Sequence, residues 1–348
     1  MNSFEDELIN RQPLNQKLLQ TIRLIGEYKG KQELFKQQAP QVLETLRQAA
    51  IIQSTESSNR IEGITVPLIR IQKLVAEKTT PQDRSEQEIA GYRDVLKTIH
   101  NNYAHIPFTT GVILQLHRDL YQFAINKGGC WKTVDNEISA TYPDGTKVVR
   151  FQPTPAYATP MAMERLQERF NYLWKSGEIE PLLLIPTYIL DFLCIHPFLD
   201  GNGRMARLLT LLLLYKADYE VGRFISLERI VEETKESYYD TLYQSSQGWH
   251  GGQHNLLPWW EYFLGVIILS AYREFEQRVG YITSAKGSKT ALVLDAINNL
   301  PLEFSIRELQ ERCPTVGIDL IRRILRRERD AGHLQCRGRG ADARWGKI

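Results

Sequence analysis

His196-Pro-Phe-Leu-Asp-Gly-Asn-Gly-Arg-Met-Ala-Arg207 gathers one histidine, one carboxylate, one amide, two glycines and two arginines within twelve residues. Each residue type suits one task. His196 is the group here that exchanges a proton near neutral pH. Asp200 offers hard oxygens that suit Mg²⁺, an ion that favours carboxylate together with phosphate. Gly201 and Gly203 permit positive φ and a close approach of backbone to ligand. Their successive N–H groups, opening onto a helix N-terminus, form an anion nest. Arg204 and Arg207, three residues apart, are expected on one helix face, where they clamp phosphate oxygens. Base, metal ligand, nest and clamp together describe transfer of a phosphorus-centred group.

Two apolar runs must hold this loop in place. Leu182–Ile195 precedes it and Leu208–Tyr215 follows it. Both read as helices too apolar to lie anywhere but in a core. The wider composition fits a soluble globular chain of two or three domains: 348 residues, 43% hydrophobic, 24% charged, formal net charge +2. The N-terminus carries early acids and no apolar core, so no signal peptide is expected. No apolar run reaches the roughly 18 residues of a membrane span. Cys130, Cys194, Cys313 and Cys336 show no CxxC spacing, which argues against zinc and places the chain in a reducing cytoplasm. The charge is uneven: residues 320–348 hold nine Lys/Arg against three Asp/Glu. No Walker A motif is present, so ordinary P-loop phosphate binding is excluded.

The twelve residues match the signature HPFx[D/E]GNGRxxR of the Fic (filamentation induced by cAMP) family at every fixed position, and the resemblance spans roughly residues 105–280. It implies protein AMPylation: AMP moves from ATP to a hydroxyl side chain of a target protein and pyrophosphate leaves. On that resemblance His196 is the base, Asp200 holds Mg²⁺, Gly201, Asn202 and Gly203 hold the α-phosphate region, and Arg204 and Arg207 bind the outer phosphates. Upstream, Ser58-Asn-Arg-Ile-Glu62-Gly63 is similar to the family's inhibitory motif [S/T]xxxE[G/N]. The resemblance implies that Glu62 pairs with Arg207 and keeps ATP in an unproductive pose, as in class II members with an N-terminal inhibitory helix. On the residues alone, Glu62 is a carboxylate at a helix C-terminus, a slightly unfavourable place for an acid.

The rest of the chain is read in order. A helix is expected from Asn15 to Tyr28, stopped at Gly30, then a long one from Pro40 to Gly63. Helical patterns follow at Val66–Lys78, Glu86–His100 and Phe108–Phe123, where His117 reads as structural. Residues 128–139 and Lys147–Phe151, around Asp144-Gly145, read as a β-hairpin. The family resemblance makes this hairpin a flap that binds the target protein along about 129–139 by strand addition. Met161–Ser176 is an amphipathic helix ended by Gly177. Tyr238, Tyr239 and Leu242 resemble the family's adenine-pocket helix, with Ser246 where a common asparagine would stand. His250 and His254 have metal-like spacing but read as solvated loop residues. Leu257–Tyr281 is expected to close the core, and Gly280–Ser288 to be a linker. Beyond it, Ser305 with Glu308 forms a capping box, Ile318–Ala331 is a basic helix, and Leu334 and Trp345 flank a strand–turn–strand. This resembles a winged helix, with Arg322, Arg323, Arg326, Arg327, Arg337 and Arg339 placed for DNA phosphates.

The expected fold is therefore all-α: a Fic helical core with a β-hairpin flap, an N-terminal helical region and a C-terminal winged helix-turn-helix. The expected domains are 1–104, 105–285 and 286–348. ATP and Mg²⁺ are the expected substrate and ion. A target protein, a homodimer and DNA are the partners considered, with no membrane. A transcriptional regulator using the core as a nucleotide sensor, a de-AMPylase and other nucleotidyl transfer are the competing readings.

Overall fold

The computed structural model describes the chain except residues 1–2, 5–7, 39, 126, 142–144, 285–287, 314–315, 339–342 and 348. Asp144 at the hairpin turn, and Arg339 and Asp342 at the C-terminal one, lie outside the described residues. The centre is a pair of packed helices, α8 (Pro181–Ile195) and α9 (Asn202–Lys216), joined by the polar loop. In α8 all residues but Pro181 and Leu193 are buried, and in α9 all but Gly203 and Lys216. Their low polarity on every face is thus explained: other helices cover them on all sides. Pro186 sits inside α8 without breaking it. Its carbonyl accepts Trp259 Nε1 at 2.7 Å, and the neighbouring Thr187 hydroxyl donates to Leu183 O.

The surrounding helices are α1 (Leu8–Arg11), α2 (Gln16–Gln38), α3 (Pro40–Ile61), α4 (Leu68–Val75), α5 (Arg84–Asn102), α6 (Thr110–Leu120), α7 (Thr159–Ser176), α10 (Leu227–Glu233), α11 (Lys235–Ser246), α12 (Leu257–Tyr262) and α13 (Leu269–Ser284). Several differ from expectation. Helix α2 runs through Gly26 and Gly30, because Tyr28 stacks on Tyr272 and Phe35 packs on Phe275, which outweighs the weak helix preference of glycine. The closing helix is interrupted by a π-helical stretch at Phe263–Ile268. Helix α13 continues to Ser284, so residues 280–284 of the expected linker are helical.

The hairpin pairs β1 (Ile138–Thr141) with β2 (Lys147–Phe151), antiparallel, with a register shift at Ile138/Ser139. Residues 128–137 are irregular, not a strand. Their hydrogen-bonding groups go to other partners instead: Lys132 N donates to Pro197 O in the polar loop, and Gly129 N to His117 Nδ1 on α6. The C-terminal segment runs α14 (Ser288–Asn299), β3 (Glu303–Ser305), α15 (Ile306–Arg312), α16 (Ile318–Asp330), β4 (Leu334–Arg337) and β5 (Arg344–Lys347). The sheet order is β3-β5-β4, so a strand not expected from sequence joins the edge. Ser305 and Glu308 form the capping box, and α14 packs on α3 and α13. Among the described residues no helix is long and apolar enough to cross a membrane.

Candidate active site

Helix α8 ends at His196, whose φ of 51° is left-handed, and the chain turns through Gly201 at φ 83° into α9. Only Gly201 of the two glycines needs that conformation. Gly203 lies in the first turn of α9, and the reason for glycine there is contact: a Cβ would collide with Glu62 Oε1. Gly201 supplies no capping side chain, which leaves the first N–H groups of α9 open to an anion. Asn202 does not point at a ligand. Its Oδ1 accepts from Phe198 N at 2.9 Å and its Nδ2 donates to Phe198 O at 2.7 Å, so the side chain closes the loop on itself.

His196 is half-buried and lines a cleft of about 710 Å³. Its Nδ1 lies 3.3 Å from Leu193 O, a contact that places the proton on Nδ1 and leaves the Nε2 lone pair free. Burial pushes the imidazole down to about 4, against an upward pull from the Leu193 carbonyl and with a lesser further lowering from the Lys132 charge. The ring is therefore neutral at physiological pH, as a base must be.

Arg207 lies across the same cleft and is held by the end of α3. Its Nη2 donates to Glu62 Oε1 at 2.7 Å and to Ser58 O at 2.9 Å, and its Nε donates to Ser58 Oγ at 2.8 Å. Ser58 is thus a direct partner of the arginine. Glu62 follows the last helical residue, Ile61, and Gly63 at φ 81° turns the chain away. Arg204 departs from the expected clamp. It is 1% exposed, absent from the cleft lining, and points to the other side, donating to Glu88 Oε2 at 2.6 Å and Tyr121 Oη at 2.7 Å. Residues three apart differ by about 60° around a helix, and the long guanidinium stems carry that offset to different partners.

Asp200 is 61% exposed. Its Oδ1 accepts from Gly201 N at 2.6 Å, and its Oδ2 is 3.9 Å from Arg84 Nη2. Among the described residues no group of three or more His, Cys, Asp or Glu forms a metal cage. One open carboxylate at the cleft fits Mg²⁺ arriving with nucleotide phosphates.

On the far wall Tyr239 is 45% exposed, while Tyr238 is buried against Trp259 and Tyr262. Both line the cleft with Leu242, Tyr243 and Ser246. The Ser246 hydroxyl donates back to Tyr243 O at 2.9 Å. Arg150 of β2 lies 4.9 Å over the Tyr243 ring, linking hairpin to α11.

Sequence reasoning missed the residues that brace the loop. Lys132 is buried, with Nζ donating to Ile195 O at 3.1 Å and Asn136 Oδ1 at 2.8 Å. Asn136 donates in turn to His196 O and Phe198 O. His117 stacks on Phe198 at 3.6 Å, accepts Gly129 N–H at Nδ1, and so donates from Nε2 to Asp200 O at 3.0 Å. Nothing in the local pattern around 117, 132 or 136 marks these contacts. Of the two loop histidines, His250 is exposed as expected, with its ring stacked on Phe151, whereas His254 is buried and meets Ser3 Oγ at 2.7 Å. Ser3 and Trp249 both donate to buried Asp191, which keeps this group in the core.

Residues 107–214, which contain the loop, α8 and all but the last two residues of α9, match the Fic/DOC family model. Residues 107–214 are a Fic domain. A Nematostella vectensis protein named protein adenylyltransferase Fic is 27% identical over 210 residues, 57% of this chain and 44% of that protein. The match thus spans less than half the length of that relative. Among solved structures, a Fic family protein from Desulfovibrio desulfuricans G20 is 20% identical with a TM-score of 0.61, covering 97% of both chains. A Fic domain containing signaling protein from Bacteroides thetaiotaomicron VPI-5482 is 22% identical with a TM-score of 0.59, covering 76% of this chain and 97% of that one. These two likenesses are of fold. The Fic fold accounts for the mostly helical architecture and the short hairpin.

Proposed function

We propose that this Fic chain is a protein adenylyltransferase held off by its own Glu62. The observation that carries the reading is one cleft in which neutral His196 faces Arg207, and Arg207 is already occupied by Glu62 and Ser58. The name of the Nematostella relative points to the same activity.

In the proposed reaction a target hydroxyl oxygen attacks the α-phosphorus of ATP, and the bond from that phosphorus to the β-phosphate oxygen breaks. Pyrophosphate leaves with the electron pair, and the hydroxyl proton passes to His196 Nε2. The open N–H groups at the start of α9 receive the anionic phosphates. Asp200 would hold Mg²⁺, which supplies charge neutralisation on the phosphates when bound. Arg207 positions the terminal phosphate once Glu62 lets go. Arg204 is assigned instead to bracing the loop from behind, through Glu88 and Tyr121. Tyr239, Leu242 and Tyr243 offer apolar surface to the base. A target segment adds to β1, whose outer edge has no strand partner among the described residues.

The test is incorporation of label from α-labelled ATP into protein, for the full chain, Glu62→Gly and Glu62→Gly/His196→Ala. Glu62→Gly should label itself or proteins in a host lysate. Adding His196→Ala should lower the rate by about 10²–10⁴. No label from Glu62→Gly with ATP, or full labelling without His196, would overturn the reading. Loss of AMP from a pre-modified protein in place of gain would assign the reverse reaction.

A further inference from the structure

The C-terminal unit carries a surface that nucleotide transfer leaves unused. Helix α16 buries Ile321, Ile324 and Leu325 against its own unit and turns Arg322, Arg323, Arg326 and Arg327 outward, all four at least partly open to solvent. The pairs 322/326 and 323/327 each stand four residues apart, about 6 Å along the helix. Like charges at that spacing repel and cost the helix stability. The chain offsets little of this. Arg322 is 3.7 Å from Asp319, and Arg327 pairs with its neighbour Glu328, but no carboxylate among the described residues pairs with Arg323 or Arg326. A band of four guanidiniums maintained at such a cost calls for an anionic partner.

Shape narrows the partner. The unit runs helix, strand, helix, helix, strand, strand, with β4 packed on α16 and β5 paired with β4. Arg337 and Arg344 on those strands are exposed as well. A helix about 10–12 Å across fits the roughly 12 Å major groove of B-DNA, and a two-stranded ribbon beside it reaches the flanking backbone. Guanidinium forks match phosphate oxygens in pairs. The outward face of α16 carries no Asn or Gln, the side chains suited to reading adenine, so contact to phosphate dominates over contact to base.

We propose that residues 288–347 form a winged helix-turn-helix that binds duplex DNA with α16 in the major groove, Arg322, Arg323, Arg326 and Arg327 gripping phosphates with weak sequence preference. This is independent of the adenylyltransferase reading and survives its failure.

The test is fluorescence anisotropy of the full-length chain with a labelled random-sequence duplex of about 30 base pairs, at salt from about 50 to 200 mM. Binding should weaken steeply with salt. Arg322→Gln/Arg326→Gln and Arg323→Gln/Arg327→Gln should each weaken it at least about 10-fold and flatten the slope of log K against log salt by roughly one for each phosphate no longer gripped. Glutamine keeps helix propensity and removes the like-charge repulsion, so both variants should unfold at or above the wild-type midpoint. Arg165→Gln, an exposed arginine on α7 outside the C-terminal unit, should bind as wild type. Absence of binding at low salt, binding indifferent to salt, or equal loss in Arg165→Gln would overturn the proposal. So would capture of a protein through these arginines without any affinity for duplex.

Discussion

Glu62 closes directly over Gly203: any side chain at 203 would collide with Glu62 Oε1 while that oxygen holds Arg207. The glycine in the first turn of α9 is therefore spatially matched to an acid 141 positions earlier in the chain. The contact joins the end of α3 to the nest that would receive phosphate, so carboxylate and anionic ligand compete for one place.

This competition predicts a specific cycle of rates. Glu62→Gly should raise AMP incorporation by on the order of 10²-fold, because restoring in-line geometry is worth about that much. The effect should fall on kcat more than on ATP affinity, because Glu62 takes the place of the terminal phosphate alone and leaves the rest of the nucleotide bound in an unproductive pose. Adding Arg207→Ala should return the rate toward wild type, since the freed arginine does the positioning. Ser58 still holds Arg207 Nε and Nη2 in the single variant, so the guanidinium stays aimed at the cleft. Initial rates for all four members decide the matter. Equal rates for wild type and Glu62→Gly would remove the inhibitory contact, and a fully active double variant would remove Arg207.

A second cycle isolates the Gly203 contact by stability alone. Gly203→Ala should cost about 1–3 kcal/mol in the wild-type background, the usual penalty for overpacking. In the Glu62→Gly background the collision is absent, and the better helix propensity of alanine offsets what strain remains against Arg207 Nη1 at 3.2 Å. Denaturant titrations should thus show strong non-additivity. Additive costs would mean that Glu62 does not occupy the position over Gly203 in solution.

The pH dependence of the activated enzyme follows from His196. The base works when neutral, and burial with the Lys132 charge pushes it down to about 4. The rate should hold from neutral pH down through the ordinary histidine range and fall only as pH approaches 4. Lys132→Met removes the nearby positive charge and the donor to Ile195 O. The acid limb of the profile should therefore move to higher pH, and loss of positioning should lower the plateau by up to about 10²-fold. A pH–rate profile of Glu62→Gly with and without Lys132→Met reads both effects. A reduced plateau with an unmoved limb would leave Lys132 a purely structural part of the loop.

What the sequence determined is what lies close together in the chain. The signature from His196 to Arg207 is contiguous, so its spacing alone places a base, a carboxylate and a nest on one loop between two apolar runs. The capping box at Ser305 and Glu308 and the helix stop at Gly177 are equally local, set by backbone geometry within one turn. Tertiary structure decided where distant residues meet. Arg204 shares a helix turn with Arg207, yet Glu88 on α5 and Tyr121 just past the end of α6 take its guanidinium away from the cleft. Gly30 reads as a helix stop, yet packing of α2 on α13 carries the helix through it. Lys132, Asn136 and His117 brace the loop from remote segments. Their chemistry is ordinary in isolation, because a hydrogen bond to a backbone carbonyl leaves no trace in the local pattern of residues. Which carbonyl each one reaches depends on packing across many helices, and local spacing carries no record of that.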